Sequence, residues 1–141
     1  MTAPTQTGIV FDVRPSGTPA PAADREQLLA NPAFGTRFTD HMITLRWTEA
    51  DGWHDGRLEP YGPFTLDPAT AVFHYSQEFF EGLKAYRQAG GSIVMFRPQA
   101  NATRFNSSAR RMAMPELPEE TFLQALELLV TQDREWVPSA Q

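Results

Sequence analysis

A chain of 141 residues, 41% of them hydrophobic, has the length and composition of one globular domain with a core of its own, which excludes wholesale disorder. It holds no cysteine, which excludes disulfides, thiolate metal sites and a cysteine nucleophile, and its net charge of −5 makes it a poor nucleic-acid binder on bulk charge. No apolar run is long enough to span a bilayer, and the opening MTAPTQTG lacks both the basic region and the apolar stretch of a secretory signal, so no membrane partner and a cytoplasmic location are expected.

In chain order, residues 1–23 are rich in Pro, Thr and Ala around the apolar patch Ile9, Val10 and Phe11, and read as a loose arm with room for one strand. Residues 24–29 suit a short helix capped by Asp24. A loop over 32–36 leads into a strand over 38–48, rich in Thr, Ile and Trp. A turn over 49–52 returns it as a second strand over 53–61. Gly62-Pro63 and Asp67-Pro68 break the pattern, and residues 71–80 read as loop plus short helix, ended by Gly82. Two further strands, 83–87 and 93–96, flank Gly90-Gly91, a hairpin signal because both glycines accept positive φ. Pro98 suits the first turn of a helix with a Phe105, Ala109, Met112 stripe, stopped by Pro115. A last helix starts at Pro118, carries Glu119 and Glu120 in its first turn, buries Phe122, Leu126, Leu129 and Val130, and ends at Pro138. The sum is an α+β domain: an antiparallel sheet with two C-terminal helices packed on it.

Charge is unevenly spread. Residues 82–115 contain no Asp or Glu but hold Lys84, Arg87, Arg97, Arg104, Arg110 and Arg111. Phe73, Tyr75, Phe79 and Phe80 lie just before them. An apolar wall beside such a segment suits a small ligand with an apolar body and an anionic end, and a solvated basic helix face explains the charge as well. Arg104 flanks the apolar stripe, so its stem can pack while its guanidinium grips a phosphate with paired charge-assisted bonds. A surface ion pair with a glutamate is the alternative, and spacing alone favours it. Lys84, the single lysine, occupies a polar position on an alternating strand, which usually faces solvent. His41, His54 and His74 lack metal-ligand spacing, and no metal site is expected. Ser107 and Ser108 have no nearby base, and Gly90-Gly91 leads into no helix that could cradle a phosphate. Glu81 could serve as an acid or base, or cap or pair locally. The aromatic residues read as core, with Tyr75, Phe79 and Phe80 also placed to line a pocket.

The strings themselves carry more than their statistics. FGTRFTDHM from Phe34 to Met42, HYSQEFFEGLKAYR from His74 to Arg87, Phe96-Arg97-Pro98, Asn101 with Arg104, Ser108-Ala109-Arg110-Arg111, and Asp133-Arg134-Glu135-Trp136-Val137-Pro138 occur in order over residues 31–138. Together they resemble the branched-chain amino acid aminotransferases, which are pyridoxal-phosphate enzymes of fold type IV. The resemblance implies a loose arm over 1–30, the small domain of a two-domain subunit over 31–138, and the start of an interdomain linker at 139–141. It also implies a homodimer that moves an amino group between leucine, isoleucine or valine and 2-oxoglutarate. By the resemblance Arg104 matches the arginine that holds the cofactor phosphate, and Phe34, Tyr75 and Phe80 match aromatics around the substrate side chain. Lys84 falls at a non-catalytic position. The family's cofactor-bearing lysine lies past the last residue of this sequence, so no catalytic residue is assigned and the 141-residue chain is expected to be inactive alone. Rival readings are a D-amino acid aminotransferase, an aminodeoxychorismate lyase or a non-catalytic binding module. A lone small domain is also expected to expose an apolar face and self-associate.

Overall fold

A computed structural model describes residues 8–31 and 35–138. Strand β1 (Asp12–Val13), helix α1 (Ala22–Ala30), strands β2 (His41–Thr48) and β3 (Gly52–Pro60), and helix α2 (Ala71–Tyr75) come first. Strands β4 (Ala85–Arg87) and β5 (Ile93–Met95) follow, then helices α3 (Pro98–Arg111) and α4 (Glu119–Gln132) and one 3-10 turn (Arg134–Trp136). The class is α+β, as expected. None of the helices in the described residues is long and apolar enough to cross a membrane.

The sheet differs from the expectation. There are two, a three-stranded sheet in the order β1-β3-β2 and a separate β4-β5 ribbon. The β2-β3 and β4-β5 pairs are antiparallel, whereas β1 joins β3 in parallel. The arm's strand falls on Asp12–Val13, just past the apolar patch, because Ile9 and Phe11 are used for packing. They lie over Gly56, where an added Cβ would come within 2.9 Å of Ile9 and 3.1 Å of Phe11. Only a glycine lets the arm approach β3 this closely. A register irregularity between Thr44 and Arg46 lies across the hairpin from Asp55 and Gly56, and Asp55 takes a φ of 52°. Of the two hairpin glycines at 90 and 91, Gly91 alone takes positive φ, at 83°.

Local rules place the helices well and their ends less well. Pro98 opens α3, and Arg97 before it adopts the left-handed conformation. Pro21 precedes α1, so Asp24 lies within the first turn and is not the cap. The buried line on α3 is Ala102, Asn106 and Ala109, with Phe105 and Met112 half-buried beside it. Asn106 escaped a pattern of apolar residues because its burial rests on hydrogen bonds. Its Nδ2 donates to the Leu117 carbonyl at 2.8 Å and its Oδ1 accepts the Leu117 N–H at 2.9 Å, which splints the α3–α4 connection. Phe79, Phe105 and Phe122 continue the contact as an aromatic chain, with centroid separations of 4.7 and 5.3 Å.

Helix α4 ends at Gln132, six residues before Pro138, because Asp133 is drawn sideways onto β2. Its carboxylate accepts the His41 backbone N–H at 3.1 Å and meets His41 Nδ1 at 2.5 Å. His41 Nε2 accepts the Ser16 N–H at 2.8 Å, so the ring proton resides on Nδ1. Next to it, Asp40 accepts the Trp136 indole N–H at 2.8 Å and the Ala20 N–H at 2.9 Å. Arm, β2 and the end of α4 are thus tied at one corner. Strand β2 begins at His41 and not at residue 38, although the Asp40 carbonyl still accepts the Tyr61 N–H at 2.9 Å beyond the last ladder pair.

Candidate functional site

Residues 77–87 run extended beside α3, and their burial alternates: odd positions are half-buried and even ones exposed. Gln77, Phe79 and Glu81 therefore turn toward α3. Gln77 Nε2 donates to the Met112 carbonyl at 3.0 Å, and Phe79 packs edge-on against Phe105 at 4.7 Å. Glu81 reaches Asn101 and Arg104, which stand three residues apart on one face of the helix. Phe80 and Lys84 point away.

The centre of this arrangement is the Glu81–Arg104 pair. Arg104 Nε donates to Glu81 Oε2 at 2.7 Å, and Arg104 Nη2 donates to Oε1. Oε1 also accepts the Asn101 Nδ2–H at 2.9 Å and the Gly82 N–H at 3.1 Å. Asn101 Nδ2 bonds the Gly82 carbonyl as well, at 3.1 Å. The carboxylate side chain is 6% exposed, whereas the arginine side chain is 65% exposed. The pair is thus anchored on its acidic side and open on its basic side. The Arg104 guanidinium, with help from Asn101 and Gly82, holds the Glu81 carboxyl below the usual carboxylate range despite the opposing cost of burial. Its hydrogen bond and charge push Arg104 up in turn.

An arginine side chain has five N–H donors. Glu81 occupies two, and among the described residues no other hydrogen bond of this side chain is seen, with the side chain 65% exposed. That donor set fits a phosphoryl group, which takes charge-assisted bonds from just such a fork. The alternative named from sequence, an ion pair of Arg104 with a glutamate, is present, and it does not take up every N–H bond of the guanidinium.

The aromatic residues divide. Phe79 belongs to the packed interior, while Phe80 is 84% exposed and Tyr75 is 81% exposed. Tyr75 ends α2, with its ring edge-on to His74 at 6.2 Å and the left-handed Ser76 behind it. Phe80 is brought beside the pair by its neighbour Glu81, and its ring lies over Gly82, where a Cβ would meet it at 3.2 Å. Among the described residues no ring contact joins Tyr75 to Phe80. Phe34 lies outside the described residues. A cleft of about 590 Å³ between β5 and α4, lined by Ile93, Met95, Leu123, Val130 and Arg134, includes none of Arg104, Tyr75 and Phe80.

The rest of the basic segment is partly committed. Arg87 donates to the carbonyls of Arg134 and Val137, and Arg110 pairs with Glu116. Lys84 is exposed, as alternation required. The three histidines are engaged separately: His41 with Asp133, His54 Nδ1 with the Gly52 carbonyl at 2.9 Å and His74 Nε2 with the Pro68 carbonyl at 2.7 Å. Glu81 was open to several roles from sequence, and Asn101 entered only as part of a motif. Period-two alternation from Phe79 could have turned Glu81 inward, but its partner is 23 residues away.

Comparison with known proteins defines the class as aminotransferase. The chain is 55% identical over 139 residues to a "Probable branched-chain-amino-acid aminotransferase" of Streptomyces coelicolor, covering 99% of the chain and 37% of that relative. It is 56% identical over 130 residues to the branched-chain-amino-acid aminotransferase of Mycolicibacterium smegmatis, covering 92% of the chain and 35% of the relative. The chain belongs to the branched-chain-amino-acid aminotransferase family and corresponds to its N-terminal part. It spans a little over a third of the length of the curated relatives it matches. No protein-family model matches it.

Proposed function

We propose that this chain is the small-domain portion of a pyridoxal-phosphate-dependent enzyme that transfers the amino group of leucine, isoleucine or valine to 2-oxoglutarate. The observation that carries the reading is the 55% identity, over 139 residues, to a protein named a probable branched-chain-amino-acid aminotransferase. In this reading residues 31–138 form the domain and residues 1–30 its arm, the whole enzyme is a cytoplasmic homodimer, and the remaining two-thirds supplies the reactive lysine.

Arg104 would hold the cofactor phosphate through the N–H bonds that Glu81 leaves free. The bound cofactor acts as an electron sink at the substrate α-carbon. Tyr75 and Phe80, with Phe34, would wall the space for an aliphatic side chain. Their exposure of 81% and 84% supports this, since aromatic side chains so far out of a core have their bodies available to a ligand or another chain segment. Each methylene gained or lost in such a pocket changes selectivity by roughly 1–3 kcal/mol.

The test is a chimera in which this chain replaces the corresponding segment of the Streptomyces coelicolor relative. It is expected to form glutamate from leucine and 2-oxoglutarate, and to leave D-alanine untouched. A folded chimera that turns over D-alanine, or no amino acid at all, refutes the assignment. The 141-residue chain alone is expected to give no turnover, and Lys84→Ala is expected to leave its visible spectrum with pyridoxal 5'-phosphate unchanged.

A further inference from the structure

We propose that Glu81 is a positioning residue for Arg104: it clamps one edge of the guanidinium so that the opposite N–H bonds are presented, pre-oriented, to an anionic group. The inference rests on the reading of Arg104 as the phosphate anchor. It goes beyond that reading by giving the carboxylate a part in anion recognition, where on charge alone a carboxylate would oppose it.

Three observations carry it. The glutamate is fixed independently of the arginine. Its Oε1 accepts from Asn101 Nδ2 at 2.9 Å and from the Gly82 N–H at 3.1 Å, so it would keep its place if Arg104 were removed. The carboxylate is nearly inaccessible at 6% exposure while its partner is 65% exposed, so the pair is not two mobile surface groups that happen to meet. The contact is bidentate through Nε and Nη2, the edge nearest the stem, and among the described residues Nη1 has no hydrogen-bond partner. A long arginine side chain on a helix surface loses considerable rotamer freedom when it binds. Glu81 imposes that loss before the ligand arrives, so less is lost on binding.

The sign of the effect separates this role from simple electrostatics. If Glu81 only neutralises Arg104, then Glu81→Gln raises the local charge and should tighten an anion. If it positions Arg104, the same substitution should weaken the anion although the charge has become more favourable. The experiment follows the Arg104 Nε–H signal by NMR as pyridoxal 5'-phosphate, pyridoxal or inorganic phosphate is added to the 141-residue chain.

The wild type is expected to shift with the two phosphates and not with pyridoxal. Glu81→Gln is expected to bind them roughly tenfold more weakly. Glu81→Asp keeps the charge but withdraws the carboxylate, and is expected to weaken binding similarly. Unchanged or tighter binding by a folded Glu81→Gln protein overturns the positioning role and leaves the phosphate anchor intact. Wild-type-like binding by Glu81→Asp does the same, and serves as the deciding variant if Glu81→Gln does not fold. A wild-type Arg104 signal indifferent to both phosphates overturns the anchor itself, and the positioning role with it.

Discussion

At the scale of single residues, the domain depends on a few acidic side chains that accept several hydrogen bonds each. Glu81 has a folded-state pKa below its unfolded value, so the stability it contributes is complete above the ordinary glutamate range and is lost as pH falls through the lowered value. The gap in Tm between wild type and Glu81→Gln is therefore expected to be constant near neutrality and to close in acid. A gap that persists in acid contradicts the assignment of that stability to the ionised carboxylate. Asp133 is different in kind, because its carboxylate is engaged by the backbone and ring of His41 and is itself only 6% exposed. Asp133→Ala strands the backbone N–H and the ring N–H of His41 in a site only 6% exposed. Each stranded group costs about 1–3 kcal/mol, so a loss of roughly 2–6 kcal/mol is expected in urea denaturation. A loss under about 1 kcal/mol would show that water reaches the site. Little of this was legible beforehand. Asp40 and His41 were visible as neighbours, but their partners, Trp136 and Asp133, lie more than 90 positions away.

At the scale of elements, the extended segment 77–87 holds the site, and its alternation divides adjacent phenylalanines between different tasks. Phe79 joins the aromatic chain with Phe105 and Phe122, whereas Phe80 stands 84% exposed. Phe79→Ala is expected to cost roughly 2–3 kcal/mol, somewhat less than a fully buried phenylalanine. Phe80→Ala should change stability by no more than about 0.5 kcal/mol. Denaturation midpoints of the two variants decide the matter, and equal losses would mean that the alternation has been misread. The period-two rule was available in the sequence and already turned Lys84 toward solvent. Helix starts were legible too, because Pro98 fixes the backbone of the first turn of α3, and Pro118 stands one residue before α4. Helix ends and strand limits were less so. Asp133 diverts α4, and Asn106 sits in a buried line where apolar periodicity expects no amide.

At the scale of the molecule, little apolar surface is enclosed. Among the described residues the buried hydrophobic ones are Leu58, Ala102, Ala109 and Leu117, while Phe64, Phe73, Tyr75, Phe80 and Phe96 are each more than 60% exposed. Tyr86 and Val94, opposite each other on the β4-β5 ribbon, add to this surface at 52% and 40% exposure. Apolar area on this scale drives association in water. The 141-residue chain is expected to self-associate as its concentration rises, read by light scattering, and a clean monomer at high concentration would contradict this. The amino-acid sequence by itself determined the family, the α+β class, the hairpins and most helix starts, because motifs, turn glycines and helix-opening prolines act over a few neighbouring positions. Only the tertiary structure decided that the strands form two sheets, that β1 runs parallel to β3, and that Arg104 shares its guanidinium with Glu81. Those outcomes depend on which distant backbone edges and side chains meet, and no local periodicity encodes such a meeting.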